Sequence, residues 1–115
     1  VMLVAVNEAW VRVRDADGAI LLERILQPGE SYILPRSERP ATLRAGASSN
    51  VFFMVNGETY GPAGSNGAVV SNVALSADSL TERYARVDPD AGAQSAEAVR
   101  VAEAALEQSL DQLSD

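Results

Sequence analysis

Residues 9–30 read AWVRVRDADGAILLERILQPGE. Trp10 to Arg14 alternates apolar and charged side chains, the period of a strand with one face on a core and the other in water. Asp15-Ala16-Asp17-Gly18 supplies turn chemistry, Ala19 to Leu26 is a second apolar-rich run, and Gln27-Pro28-Gly29-Glu30 closes it. A complete β-hairpin and the turn after it are written in this stretch, which sets the fold class.

The rest of the chain extends the pattern in both directions. Val1 to Val6 reads as a strand before the hairpin, and Ser31 to Leu34 starts another that Pro35 interrupts. Ala41 to Ala45 is a further run. Asn50 to Val55, NVFFMV, is apolar on both faces, as a central strand of a packed sheet is, and Asn56-Gly57 after it is the strongest short hairpin signal in the chain. Glu58 to Tyr60 returns from that turn, and Ala68 to Leu75 follows the glycine-rich loop Gly61 to Gly67. Seven or eight short strands at this spacing predict an antiparallel β-sandwich. Neither an internal repeat nor a parallel βαβ unit is visible.

Helical signals appear only near the end. Ser76 can N-cap a short helix over ADSLTERYAR, with Leu80 and Tyr84 four apart on its inner face. Asp88-Pro89-Asp90-Ala91-Gly92 breaks the pattern, and from Ser95 the composition turns to Ala, Glu, Gln and Leu. Val99, Ala102, Leu106, Leu110 and Leu113 share one stripe at helical spacing, and Glu103, Glu107 and Asp111 lie elsewhere on the wheel. This reading divides the chain into a β-domain, residues 1–87, and an acidic linker with an amphipathic helix, residues 88–115. An isolated helix of this length is marginal in water, so it is expected to dock on the sandwich or on a neighbouring copy through Val99, Leu106, Leu110 and Leu113. Small and polar residues along its seam make it a poor coiled coil.

Composition narrows the function. The 115 residues are enough for one domain with its own core, and the 47% hydrophobic content is that of an ordinary globular protein. Cysteine, histidine and lysine are all absent. Without histidine the chain lacks the usual general base and the commonest metal ligand. The net charge of −7 is unevenly placed: residues 1–87 carry eight arginines against nine acids, and residues 88–115 carry Arg100 against seven acids. Neither part has the basic balance that nucleic-acid or anionic-membrane binding requires. No window is apolar for long enough to cross a bilayer. The chain opens at Val1 inside a strand-like run without an initiator methionine, and further sequence upstream is expected.

Candidate chemistry is sparse. The Asp15-Ala16-Asp17-Gly18 segment is similar to the opening of a calcium loop, yet no acidic residue stands where the bidentate ligand belongs, and a hairpin turn explains the segment fully. Calcium, magnesium or zinc should therefore leave the melting temperature unchanged, since a ligand that binds only the folded state must raise it. A saturable calcium shift abolished by Asp15→Asn with Asp17→Asn would reverse that reading. Gly61, Gly64 and Gly67 do not match a phosphate-binding fingerprint. Ser48, Ser49 and Ser65 have no His, Lys or Cys to activate them. The acids of the body fall in turns and alternating strand positions, not as a converging catalytic pair. No catalytic residue, cofactor or metal site is expected. Trp10, Tyr32, Tyr60 and Tyr84 read as core and corner residues before they read as a sugar-stacking face.

A family resemblance rests on specific residues. Trp10-Val11-x-Val13-Arg14-Asp15-x-x-Gly18, followed by Leu21-x-x-x-x-Leu26-x-x-Gly29-Glu30, resembles the C-terminal domain of the bacterial rod-shape family RodZ. Leu43-Arg44-Ala45-Gly46, then Val51-x-x-x-Val55-Asn56-Gly57, the loop Tyr60-Gly61-Pro62-Ala63-Gly64 and the run Val69 to Leu75 extend the likeness over roughly residues 1–80. Ala47-Ser48-Ser49-Asn50 departs from the Asn-Ala-Gly common at that turn. The resemblance implies a single-span inner-membrane cell-shape protein whose cytoplasmic part, absent from this chain, binds the actin-like filament MreB. This chain would be its periplasmic end, a non-catalytic protein-interaction module serving the elongation machinery that synthesises peptidoglycan. Trp10, Asp15, Gly18, Gly29, Asn56 and Gly57 then act as fold determinants, with Trp10 expected in the core at the sandwich end. Tyr60, Pro62, Val99, Leu106, Leu110 and Leu113 are the candidate interaction residues, and a homo-oligomer through the helix is one arrangement they allow. The rival reading is a cell-wall carbohydrate-binding module. It requires two or more aromatics on one exposed face, whereas a protein-binding module requires an apolar patch or an unpaired edge strand.

Overall fold

The computed structural model describes residues 1–34, 39–65, 68–88, 90 and 92–113, with the side chains of the last helix as far as Glu107. Its strands are β1 (Met2–Ala5), β2 (Ala9–Arg14), β3 (Ile20–Leu26), β4 (Ser31–Ile33), β5 (Thr42–Ala45), β6 (Val51–Val55), β7 (Glu58–Tyr60) and β8 (Val70–Ala74), followed by helices α1 (Ala77–Arg83) and α2 (Ala93–Leu113). The strands form two four-stranded antiparallel sheets, ordered β4-β1-β6-β7 and β3-β2-β5-β8. This is the predicted β-sandwich. β8 is shorter at both ends than the expected run, and α2 starts two residues before Ser95.

Turn chemistry fixes the connections. One carboxylate oxygen of Asp15 accepts the backbone N–H groups of Asp17 and Ala19, both at 2.9 Å, and the Gly18 N–H donates to the Asp15 carbonyl at 3.0 Å. Asn56 and Gly57 take φ of 52° and 82°, the pair of positive values a two-residue hairpin turn needs, and they set Val55 opposite Glu58. The turn after β3 crosses between sheets. There the Gly29 N–H donates to the Ala5 carbonyl at 2.8 Å, and the Ala5 N–H donates to the Glu30 carbonyl at 3.0 Å.

The core between the sheets is built from alternate residues. Ala9, Val11 and Val13 of β2 and Leu43 and Ala45 of β5 face Leu3 and Ala5 of β1 and Val51, Phe53 and Val55 of β6. Trp10 is not among them. It alternates with Val11 and therefore lies half-buried on the outer face of β2, which corrects its expected place in the core. Ser76 caps α1 by accepting the Ser79 N–H at 3.2 Å, and Leu80 and Tyr84 close one end of the core as the spacing predicts. The Tyr84 ring lies 5.1 Å from that of Phe53, and its hydroxyl donates to the Ala63 carbonyl at 2.9 Å.

Burial raises the Tyr84 pKa above its ordinary value of 10.0, with the neighbouring Arg83 pulling the other way. The fold holds the protonated phenol, so above about pH 10 the unfolded chain loses its proton first. Stability should be unaffected by this group below that pH and should fall above it. Alkaline melts of the protein and of Tyr84→Phe would show the difference.

The departure at Ala47-Ser48-Ser49-Asn50 has a structural use. Ser48–Asn50 form a 3-10 turn in which Ser48 is fully buried and its hydroxyl donates to the Ala68 carbonyl at 2.7 Å. Gly64 packs against it so closely that an added Cβ would come within 2.2 Å of the Ser48 hydroxyl.

A second core lies on the outer side of the first sheet. Met2 and Val4 of β1 and Phe52 and Met54 of β6 point away from the sandwich, and α2 covers them with Ala98, Ala102 and Ala105. Both central strands of this sheet are thus buried on both faces, which is why NVFFMV is apolar throughout. The helix meets the sheet along a stripe rotated from the expected one. Alanines bring its backbone close to bulky partners, while Val101 and Leu106 pack at the margin and Val99 is half-buried beside them. The side chains of Leu110 and Leu113 lie outside the described residues.

Candidate interaction surface

Four strands lie at the sheet edges: β4 and β7 in the first sheet, and β3 and β8 in the second. An edge strand offers unpaired N–H and C=O groups to another chain unless it is short, bulged or covered. β4 and β7 are three residues each, and β7 is further bridged through Tyr60 to Arg86. β8 pairs with β5 across a register shift and carries Asn72 in the left-handed conformation at φ 58°. β3 is different. It runs seven residues, its irregularity is confined to the end near Ile20, and among the described residues no strand pairs with its outer side.

β3 is also apolar where it is exposed. Ile20, Leu21 and Ile25 show 52%, 39% and 53% of their surface. Ile25 stands directly across from Trp10 on β2, and the guanidinium of Arg12 lies 5.4 Å from the centre of the Trp10 ring while pairing with Glu23 at 3.4 Å. On its other side Trp10 adjoins Gly46, whose N–H donates to the Trp10 carbonyl at 2.9 Å and beside whose Cα the space is open. An edge strand and an aromatic–aliphatic patch therefore meet along one margin of the second sheet.

Residues 2–74 match the family described as the RodZ C-terminal domain. The chain belongs to this family. The match begins with β1 and ends at the last residue of β8, so the sandwich is the family's domain and both helices follow it. No curated protein and no solved structure matches the chain.

The fold determinants read from the sequence are distributed over this domain. Asp15, Gly18, Gly29, Asn56 and Gly57 stand in turns, and Trp10 stands on the open face. The candidate interaction residues are not brought together with Trp10. Tyr60 is half-buried against the inter-sheet core, with its hydroxyl donating to Glu58 at 3.2 Å, and Pro62 is exposed in the loop after β7. Val99 and Leu106 line separate hollows of about 130 and 160 Å³ between α2 and the Asn56-Gly57 turn. Sequence reasoning missed Ile20, Leu21 and Ile25. The signal was present in AILLERIL, which carries more apolar residues than a strand with a single buried face uses.

The aromatic criterion for a glycan platform can be applied directly. Tyr32, Tyr60 and Tyr84 all pack on the inter-sheet core, leaving Trp10 alone among the tryptophan and tyrosines on the open sheet face. Among the described residues no group of three or more His, Cys, Asp or Glu could hold a metal ion, and no helix is long and apolar enough to cross a membrane.

Proposed function

We propose that this chain is the non-catalytic, protein-binding periplasmic domain of a RodZ-like cell-shape protein, tethered by a membrane span outside this sequence. In this reading the cytoplasmic part of the same protein engages MreB, and the domain links it to the machinery that synthesises peptidoglycan. The observation that carries protein binding is the β3 edge, where unpaired backbone groups adjoin Ile20, Leu21, Ile25 and Trp10. Such an edge accepts an extended segment of a partner as an added strand, with main-chain hydrogen bonds for affinity and the flanking apolar side chains for specificity. Family membership supports the cell-shape role.

Trp10→Ala separates contact from core. Because the indole is half-buried on an outer face, its removal should cost less than about 1 kcal/mol in a denaturant melt, in the range of surface substitutions. Ile25→Asp should be equally mild. In the intact membrane protein both changes should reduce photo-crosslinking from β3 to elongation proteins and should impair rod shape. Full crosslinking and normal shape with both variants would reject the edge as the binding site. Retention of the isolated domain on purified peptidoglycan, lost in Trp10→Ala, would favour the carbohydrate reading instead.

A further inference from the structure

The outer face of the second sheet carries a second feature, centred on arginine. Arg12 and Arg14 project from β2, and Arg44 of β5 stands directly opposite Arg12. Together with Thr42, Ser71 and Asn72 they line an open groove of about 300 Å³. Like charges directly opposite one another destabilise a sheet, so this arrangement costs the isolated domain stability. It also stands apart from how the other arginines are used. Arg24, Arg39, Arg86 and Arg100 pair with Glu30, Asp17, Glu58 and Glu97, and Arg83 stacks on Tyr84; Arg36 lies outside the described residues. Arg14 and Arg44 have no ion pair or ring contact among the described residues, and both fall in the same groove.

The complementary surface is on the opposite side of the molecule. α2 lies over the outer face of the first sheet, so its own exposed side is directed away from the arginine groove. That side presents Glu103 and Glu107, four residues apart and with no ion pair among the described residues, together with the exposed Arg100, which is paired to Glu97, so the face as a whole stays acidic. Like charges at this spacing weaken a helix, as the opposed arginines weaken the sheet. We propose that the arginine groove is a docking site for the acidic outer face of α2 in a second copy of this chain. Glu103 and Glu107 then meet Arg14 and Arg44, while Glu97 keeps Arg100 neutralised on the same face. Since the two surfaces differ, the contact is heterologous and repeats head to tail, giving chains or rings of copies instead of a closed two-fold dimer. The net charge of −7 opposes association at long range, but at physiological salt the screening length is about 8 Å and the apposed pairs dominate.

Charge exchange tests both surfaces. Sedimentation of the full chain at 0.05–0.15 M salt should show concentration-dependent assemblies that dissociate on raising the salt several-fold. Arg14→Glu with Arg44→Glu, and separately Glu103→Arg with Glu107→Arg, should each weaken association at least tenfold without lowering the melting temperature, the first pair even relieving the repulsion between Arg12 and Arg44. An equimolar mixture of the two variants should recover a complex. Ile25→Asp should associate like the parent, which distinguishes this contact from the β3 edge. A chain that stays monomeric at millimolar concentration, or one whose association survives both charge reversals, overturns the proposal. A monomeric chain whose groove captures poly-glutamate replaces the second copy by an acidic segment of another protein and equally overturns it.

Discussion

Deleting residues 88–115 should leave a folded sandwich that has lost on the order of 3–6 kcal/mol, since four apolar side chains each give up about half of the 1.5–3 kcal/mol that full burial supplies. Those side chains are Met2, Val4, Phe52 and Met54, which α2 covers through Ala98, Ala102 and Ala105. The inter-sheet core does not depend on α2: Leu3, Phe53, Val11 and Leu43 are closed by the two sheets and by Leu80 of α1. The truncated domain therefore keeps its topology but presents a continuous apolar face of the kind that drives association or dye binding. Against a total stability of about 5–15 kcal/mol for an ordinary domain, the remainder is marginal. Urea melts of the two lengths, with a hydrophobic dye as second readout, would measure both effects. A loss under about 1 kcal/mol, within the range of surface changes, would mean that α2 contributes no more than an exposed appendage does.

The local code of this chain was legible because each signal acts over a few residues. Asp15 to Gly18, Gln27 to Glu30 and Asn56-Gly57 turn where their backbone preferences require, and the period-2 runs between them become strands. The strand apolar on both faces, Asn50 to Val55, and the amphipathic helix were each visible as well. Docking of the helix on the sandwich was one of the two arrangements expected, but the face was not, because the stripe reading weighs large side chains and the contact is made by Ala98, Ala102 and Ala105, of which Ala102 alone lay on the expected stripe. Trp10 shows the opposite error. Its size suggested the core, yet the alternation with Val11 and Val13 had already placed it on the outer face. The edge position of β3 depends on the order of four strands drawn from distant parts of the chain, and no local pattern encodes that order.

Phe53→Ala should be the most damaging single change in the body of the domain, at about 3–5 kcal/mol, as for other fully buried aromatics. Phe53 is fully buried between the sheets, stands across from Leu3 on one side and Tyr60 on the other, and supports the Tyr84 ring that seats the end of α1. Removing it opens a cavity that two hydrogen-bonded neighbouring strands cannot close. Phe52, one residue earlier and equally inaccessible, points to the other face and owes its burial in part to α2. Alanine there should also be costly in the full-length chain. In the protein lacking residues 88–115 the two positions should part: the Phe53 cost should persist, whereas the Phe52 cost should fall because that face is already uncovered. The difference is the coupling energy of Phe52 with α2, which a double-mutant cycle isolates. Equal coupling at both positions would show that the helix stabilises the sandwich as a whole and not through the face it touches.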